Sequence, residues 1–203
     1  MNTSLRSENM VKQDPRITRS EQAIQNALLG QLRLGRSFSS LTVSEVADLS
    51  GVTRKTFYAR FGSLEQLVER MVHDLFSELT SQVNDVMLKL PMTDNTISMM
   101  VFAGYRAHQS TLEPLIQHCP AGLFVDPISQ VLVQLLDRAV KVNKVSPLSE
   151  VDEAYLVAML ASVVHGVLAV WAKRGLVDSP EHIASFVDAL LVDGIQKVLF
   201  APS

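Results

Sequence analysis

The chain is poor in the residues that staple or metallate small proteins. A single cysteine, Cys119, stands in 203 residues, so no internal disulfide can form. The opening MNTSLRSENM has no apolar run after its start, which argues against a secretory leader and for a reducing cytoplasm. No alternating strand pattern bounded by hairpin turns, no internal repeat and no low-complexity segment occurs. Catalytic signatures are missing as well. His73, His108, His118, His165 and His182 form no His-Glu-x-x-His and have no cysteine pair; P-loop, Gly-x-Gly-x-x-Gly and Gly-x-Ser-x-Gly patterns are absent too. The sequence therefore predicts neither an enzyme nor a metal or other cofactor.

What is present is enough apolar material for a sizeable core, 47% of the residues, with a net charge of -3. That total hides an asymmetry. Residues 1–62 hold 9 Lys+Arg against 5 Asp+Glu, and the remainder 9 against 16. A basic first third on an acidic body directs any polyanionic partner to the N-terminal part.

Helix punctuation dominates the chain. Thr18/Glu21, Thr42/Glu45 and Ser63/Gln66 follow the capping-box pattern, and Thr53 can cap a fourth helix just after Gly51 and Val52. Apolar residues at helical spacing predict a long helix over 63–90, stopped by Pro91. Further helices are predicted over about 94–108, 126–143, 150–174 and 180–199, the last with Ser179 as cap and Pro180 in its first turn. The fold class is all-α. Residues 154–172 carry no charge and approach the length of a bilayer span; acidic, amphipathic neighbours favour instead a helix buried on every side, with no membrane partner.

The stretch VSEVADLSGVTRKTFYARF, residues 43–61, places two short helices around one glycine, the helix-turn-helix arrangement. Val46 and Val52 would face inward with Phe57, while Arg54, Lys55, Thr56 and Tyr58 can project from the second helix. Cations, hydroxyls and free N–H groups at a helix start suit a phosphate-lined groove.

From Thr18 to Val72 the chain resembles the TetR family of bacterial transcriptional regulators: Ile24 and Ala27 in a first helix, Gly35, then LTVSEVADLSGVTRKTFYARFGSLEQLV. The resemblance implies a flexible arm over 1–16, a helix-turn-helix DNA-binding domain over 17–62, and a helical regulatory and dimerisation domain over 63–203. It implies Thr42, Thr53, Tyr58 and Arg60 as phosphate binders, with Ser44, Arg54, Lys55 and Thr56 placed to reach base edges. The sequence departs from the family where Lys55 replaces a small residue and Leu64 replaces a lysine at the next helix start, removing one expected phosphate contact.

The expected partners are a double-stranded DNA operator, a second copy of the chain and a small-molecule effector of unknown chemistry. Met99, Phe102, Tyr105, His108, Cys119, Phe124, Met159 and His165, mostly apolar with a few polar tips, are candidates for the effector pocket. Ile183, Phe186, Val187, Leu190, Leu191, Gly194, Ile195 and Val198 repeat at i, i+3, i+4 and are candidates for the dimer interface. The function expected is a ligand-responsive homodimeric repressor acting on a pseudo-palindrome; the alternative is a helical ligand-binding or protein-interaction module without operator binding.

Overall fold

Hydroxyl caps mark the helix starts of the N-terminal third. Thr42, Thr53 and Ser63 hold extended backbone, and their side-chain oxygens accept from the N–H groups of Glu45, Thr56 and Gln66. The computed structural model describes residues 15–90 and 96–199, and the side chains of these except 96 and 192–199. Its helices are α1 (Pro15–Arg33), α2 (Val43–Ser50), α3 (Arg54–Phe61), α4 (Leu64–Ser81), α5 (Thr96–Ala107), α6 (Gln109–His118), α7 (Gly122–Asn143), α8 (Glu150–Lys173) and α9 (Pro180–Leu199). Among the described residues there is no strand.

Thr18 is not a cap. The described part of α1 already runs from Pro15, so Thr18 and Glu21 lie inside the helix. The arm expected over 1–16 lies outside the described residues except for 15 and 16, which are helical. At the other end, the expected Ser179 cap forms: the His182 N–H donates to its Oγ at 3.2 Å.

The helix expected to reach residue 90 ends at Ser81. Its apolar rhythm misleads because Val83 and Leu88 are still buried, but in turns. The Asn84 side chain accepts from the Val86 and Met87 N–H groups. From α7, Arg138 donates to the Val83 carbonyl at 2.9 Å, and Asn143 donates to the Leu88 carbonyl while accepting from the Leu90 N–H, each at 2.8 Å. These side chains satisfy backbone groups that a longer helix would have paired internally.

α6 has no counterpart in the sequence reading. It contains Pro114, which reads as a breaker; the helix persists because Leu112, Pro114, Leu115 and Ile116 are all buried, tertiary burial outweighing local propensity. α7 likewise starts at Gly122 rather than near 126, carrying Pro127 in its second turn.

The body is built by α4 on α7, α7 on α8 and α5 on α9, while α6 packs on both α1 and α8. Trp171 organises one end. It lies 5.5 Å from the Tyr105 ring, the Arg106 guanidinium sits 5.4 Å over it, and its Nε1 donates to the Asp178 carbonyl at 3.0 Å. This fixes the turn from α8 into α9.

α8 is long and apolar enough to cross a membrane, and it is not buried on every side as expected. Leu156, Val157, Ala161, Leu168, Trp171 and Ala172 face the chain's own core, whereas Tyr155, Met159 and Val170 are exposed. A uniformly apolar helix gives no clue to which face lies outward.

Candidate nucleic-acid interface and effector cavity

The N-terminal helices form a small core from Ile24, Leu28 and Leu32 of α1 with Val46 and Ala47 of α2 and Phe57 of α3, all fully buried. Gly51 ends α2 with φ 69°, and its N–H donates back to Ala47 and Asp48. That left-handed turn favours glycine and swings α3 out of line. Arg36 pairs with Glu45 and donates to Gln31, tying the entry of α2 to the end of α1.

On this frame Thr42, Thr53, Arg54, Lys55 and Tyr58 are exposed, and Ser44, Thr56 and Arg60 are half-buried. Arg54 and Lys55 enter no salt bridge among the described residues, so their charge faces outward from the first turn of α3. The Thr56 hydroxyl lies 3.0 Å from that of Thr53, which couples it to the cap. Tyr58 meets Phe57 edge-on at 6.0 Å and leaves 56% of its surface free. The Arg60 Nε is buried and finds no partner among the described residues. Leu64, at the start of α4, is buried with Phe61; it contributes to packing where a cation would have reached out.

A largely apolar cavity of about 170 Å³ lies between α4, α5, α7, α8 and α9. Phe76, Phe102, Ile128, Val131 and Val164 form much of its wall, and Thr80, Ser98 and Asp188 are its polar members. Of the residues expected to line an effector pocket, it includes Phe102 alone. Tyr105 packs on Trp171, and Phe124 lies 4.9 Å from the ring of His165; both are core. Burial raises the Tyr105 phenol far above its ordinary value, with Glu113 adding to the shift, and it lowers His165. Met99 is packed against the core, His108 occupies the cap position of α6 without a side-chain cap bond, and Cys119 ends that helix with its thiol pushed up to about 12 by burial. Met159 points outward.

The α9 stripe divides in the same way. Phe186 and Leu190 are exposed, Val187 is buried within the chain, and Leu191, partly exposed, lines the cavity. Ile183 is half-buried; the side chains of Gly194, Ile195 and Val198 lie outside the described residues. Sequence reasoning missed Asp188, although a signal existed: it is the acid in the otherwise apolar inner row Ala184, Val187, Asp188, Leu191. Among the described residues no group of three or more His, Cys, Asp or Glu side chains is arranged to hold a metal ion.

Residues 34–71 match the family described as bacterial regulatory proteins, tetR family. The uncharacterised HTH-type transcriptional regulator YxbF of Bacillus subtilis (strain 168) is 29% identical over 66 residues, 32% of this chain and 17% of that protein, so the chain spans about a sixth of the curated relative it matches. Two solved structures share the fold along most of the chain. Lin0861 from Listeria innocua is 15% identical, with 88% of this chain and 92% of that one covered and a TM-score of 0.68. NalD, the secondary repressor of the MexAB-OprM multidrug efflux pump in Pseudomonas aeruginosa, is 15% identical, with 93% and 100% covered and a TM-score of 0.52. The match to the tetR family of bacterial regulatory proteins thus lies in the helix-turn-helix segment, and the solved structures share the all-α fold beyond it.

Proposed function

We infer that the protein is a homodimeric, effector-responsive repressor that works in the cytoplasm and binds a pseudo-palindromic operator. The observation that carries this reading is the exposed, cationic start of α3, where Arg54 and Lys55 stand beside the Thr53 cap on a helix anchored by fully buried Phe57. Arg54, Lys55, Thr56 and Ser44 read base edges; Thr42, Thr53, Tyr58 and Arg60 hold phosphates. The exposed apolar residues Tyr155, Met159 and Val170 of α8 and Phe186 and Leu190 of α9 supply the surface for a second copy, and two-fold symmetry then sets two reading helices on two half-sites.

Control follows from how α4 is shared. Phe76 and Thr80, near its end, line the cavity, and Leu64 at its start is buried with Phe61 of α3. An occupant that fits only one setting of α4 biases the spacing of the two reading helices, and by linkage the operator weakens that occupant's binding by the same factor.

The test is an electrophoretic shift with the upstream intergenic DNA at several salt concentrations. A dimeric complex whose log affinity falls with log salt by about 0.9 per phosphate contacted is expected; a flat salt response would refute the electrostatic mechanism. One observation favours a second reading, a helical ligand-binding or interaction module without operator binding: buried Leu64 replaces the family's phosphate-binding lysine. Absence of any sequence-preferring shift would establish it.

A further inference from the structure

The polar members of the cavity wall are already engaged by the protein itself. The Thr80 hydroxyl donates to the Phe76 carbonyl of its own helix at 2.8 Å. Ser98 Oγ donates to Asp188 Oδ1, and Asp188 takes part in a further interaction besides this one. The described lining holds no lysine, arginine or histidine, and its other residues are aliphatic or aromatic, among them Phe76, Phe102, Ile128, Val131 and Val164. A charged guest would leave water without gaining a partner, at a cost larger than its apolar contacts contribute. The volume of about 170 Å³ is close to that of apolar cavities of about 150 Å³ that take up one benzene molecule, which sets the size of the guest.

We propose that this cavity is a site for a small neutral hydrocarbon, about one aromatic ring in size, held by apolar contact alone. The assignment rests on the effector-responsive reading only for its biological role; binding itself is independent of DNA. The ring meets Phe76 of α4, Phe102 of α5, Ile128 of α7 and Val164 of α8, so a single guest touches the helix that leads to the DNA-binding part and the helices packed around it. A carboxylate of the same size finds no cation in the described wall and meets Asp188, in surroundings that screen charge poorly. An ammonium group would have to displace the partners that Asp188 already has. A neutral ring faces neither cost.

The experiment titrates toluene, benzoate and benzylamine into the full chain at neutral pH without DNA, followed by sealed-cell calorimetry and by methyl NMR spectra. Toluene is expected to bind more tightly than either charged ring by roughly tenfold or more. It should shift the methyl signals of Ile128 and Val164 and leave those of Val177, which is exposed, in place. Val164→Phe puts a ring into the space and should weaken toluene by about tenfold or more. Thr80→Val removes a hydroxyl from the wall and should keep toluene within about threefold of the parent chain. Circular dichroism checks folding; should Val164→Phe not fold, the methyl map and Thr80→Val decide. Benzoate or benzylamine binding as tightly as toluene, unmoved Ile128 and Val164 methyls, or a tenfold loss of toluene affinity in folded Thr80→Val would overturn the proposal. Operator titrations run in parallel separate the two readings: toluene binding without any DNA shift removes the regulator and keeps the site, whereas DNA binding without toluene binding does the reverse.

Discussion

The Ser110 carbonyl accepts from Arg33 Nη2 at 2.6 Å, a bond that joins the last residue of α1 to the first turn of α6. Its availability has a cause four residues on. Pro114 carries no N–H, so the Ser110 oxygen lacks its helical donor, and the DNA-side arginine takes the place. Since α6 also packs on α8, this forms a second bridge between the two parts of the molecule, separate from α4. Arg33→Met should therefore leave operator affinity without effector within about threefold while reducing effector–operator coupling by about 0.5 to 2 kcal/mol. Titrating operator with and without effector measures both quantities; unchanged coupling would leave α4 as the sole connection.

Reading and positioning separate at α3. Arg54→Ala is expected to lose about 1 to 3 kcal/mol at the matched site and to relax preference at one or two base pairs, whereas Tyr58→Phe should weaken matched and mismatched sequences alike. Competition shifts against single-base operator variants make the comparison. Uniform loss for Arg54→Ala would move it to the phosphate contacts.

Adjacent residues of α9 should fail in different ways. Leu190 is 67% exposed in the single chain, while Leu191 lines the cavity. Leu190→Glu should give folded monomers with much reduced operator affinity, because two half-sites no longer act together. Leu191→Glu should lower thermal stability by about 2 kcal/mol by placing a charge in the apolar wall of the cavity. Light scattering and thermal melts distinguish them, and a dimeric Leu190→Glu protein would locate the interface elsewhere.

Cys119 gives a pH prediction. Burial raises its thiol from 9.0 to about 12, so the folded chain binds a proton that the unfolded chain releases above pH 9. Stability from this group is complete below pH 9 and is lost as pH rises toward 12. The thiol should also react with iodoacetamide far more slowly than a free cysteine at pH 8.5, and denaturant should restore the ordinary rate. Rapid labelling of folded protein would contradict the buried setting.

The N-terminal third was legible because its determinants are local. Hydroxyls three residues before their N–H partners, and one glycine with positive φ, specify α2 and α3 without reference to the rest of the chain. The end of α4 was not legible, since Val83 and Leu88 remain buried outside the helix and their backbone partners come from Arg138 and Asn143, more than fifty residues away. α6 was hidden by Pro114. The pocket candidates were chosen for composition, but a cavity exists only where several helices fail to close; from one stripe Phe102, Tyr105 and Met159 look alike, yet of these Phe102 alone lines this cavity.

The early stop of α4 has a mechanical consequence. With 18 residues and a rise of about 1.5 Å each, it is a boom of about 27 Å whose root is pinned to α7 by Arg138 and Asn143. Swinging such a boom by about 5° displaces its tip by about 2.4 Å, and in the proposed dimer opposite swings would change the span by nearly 5 Å, more than the rise of one base pair. In the proposed dimer the turns after Ser81 would serve as the pivot, so no helix need bend or unwind for the two reading helices to lose their spacing.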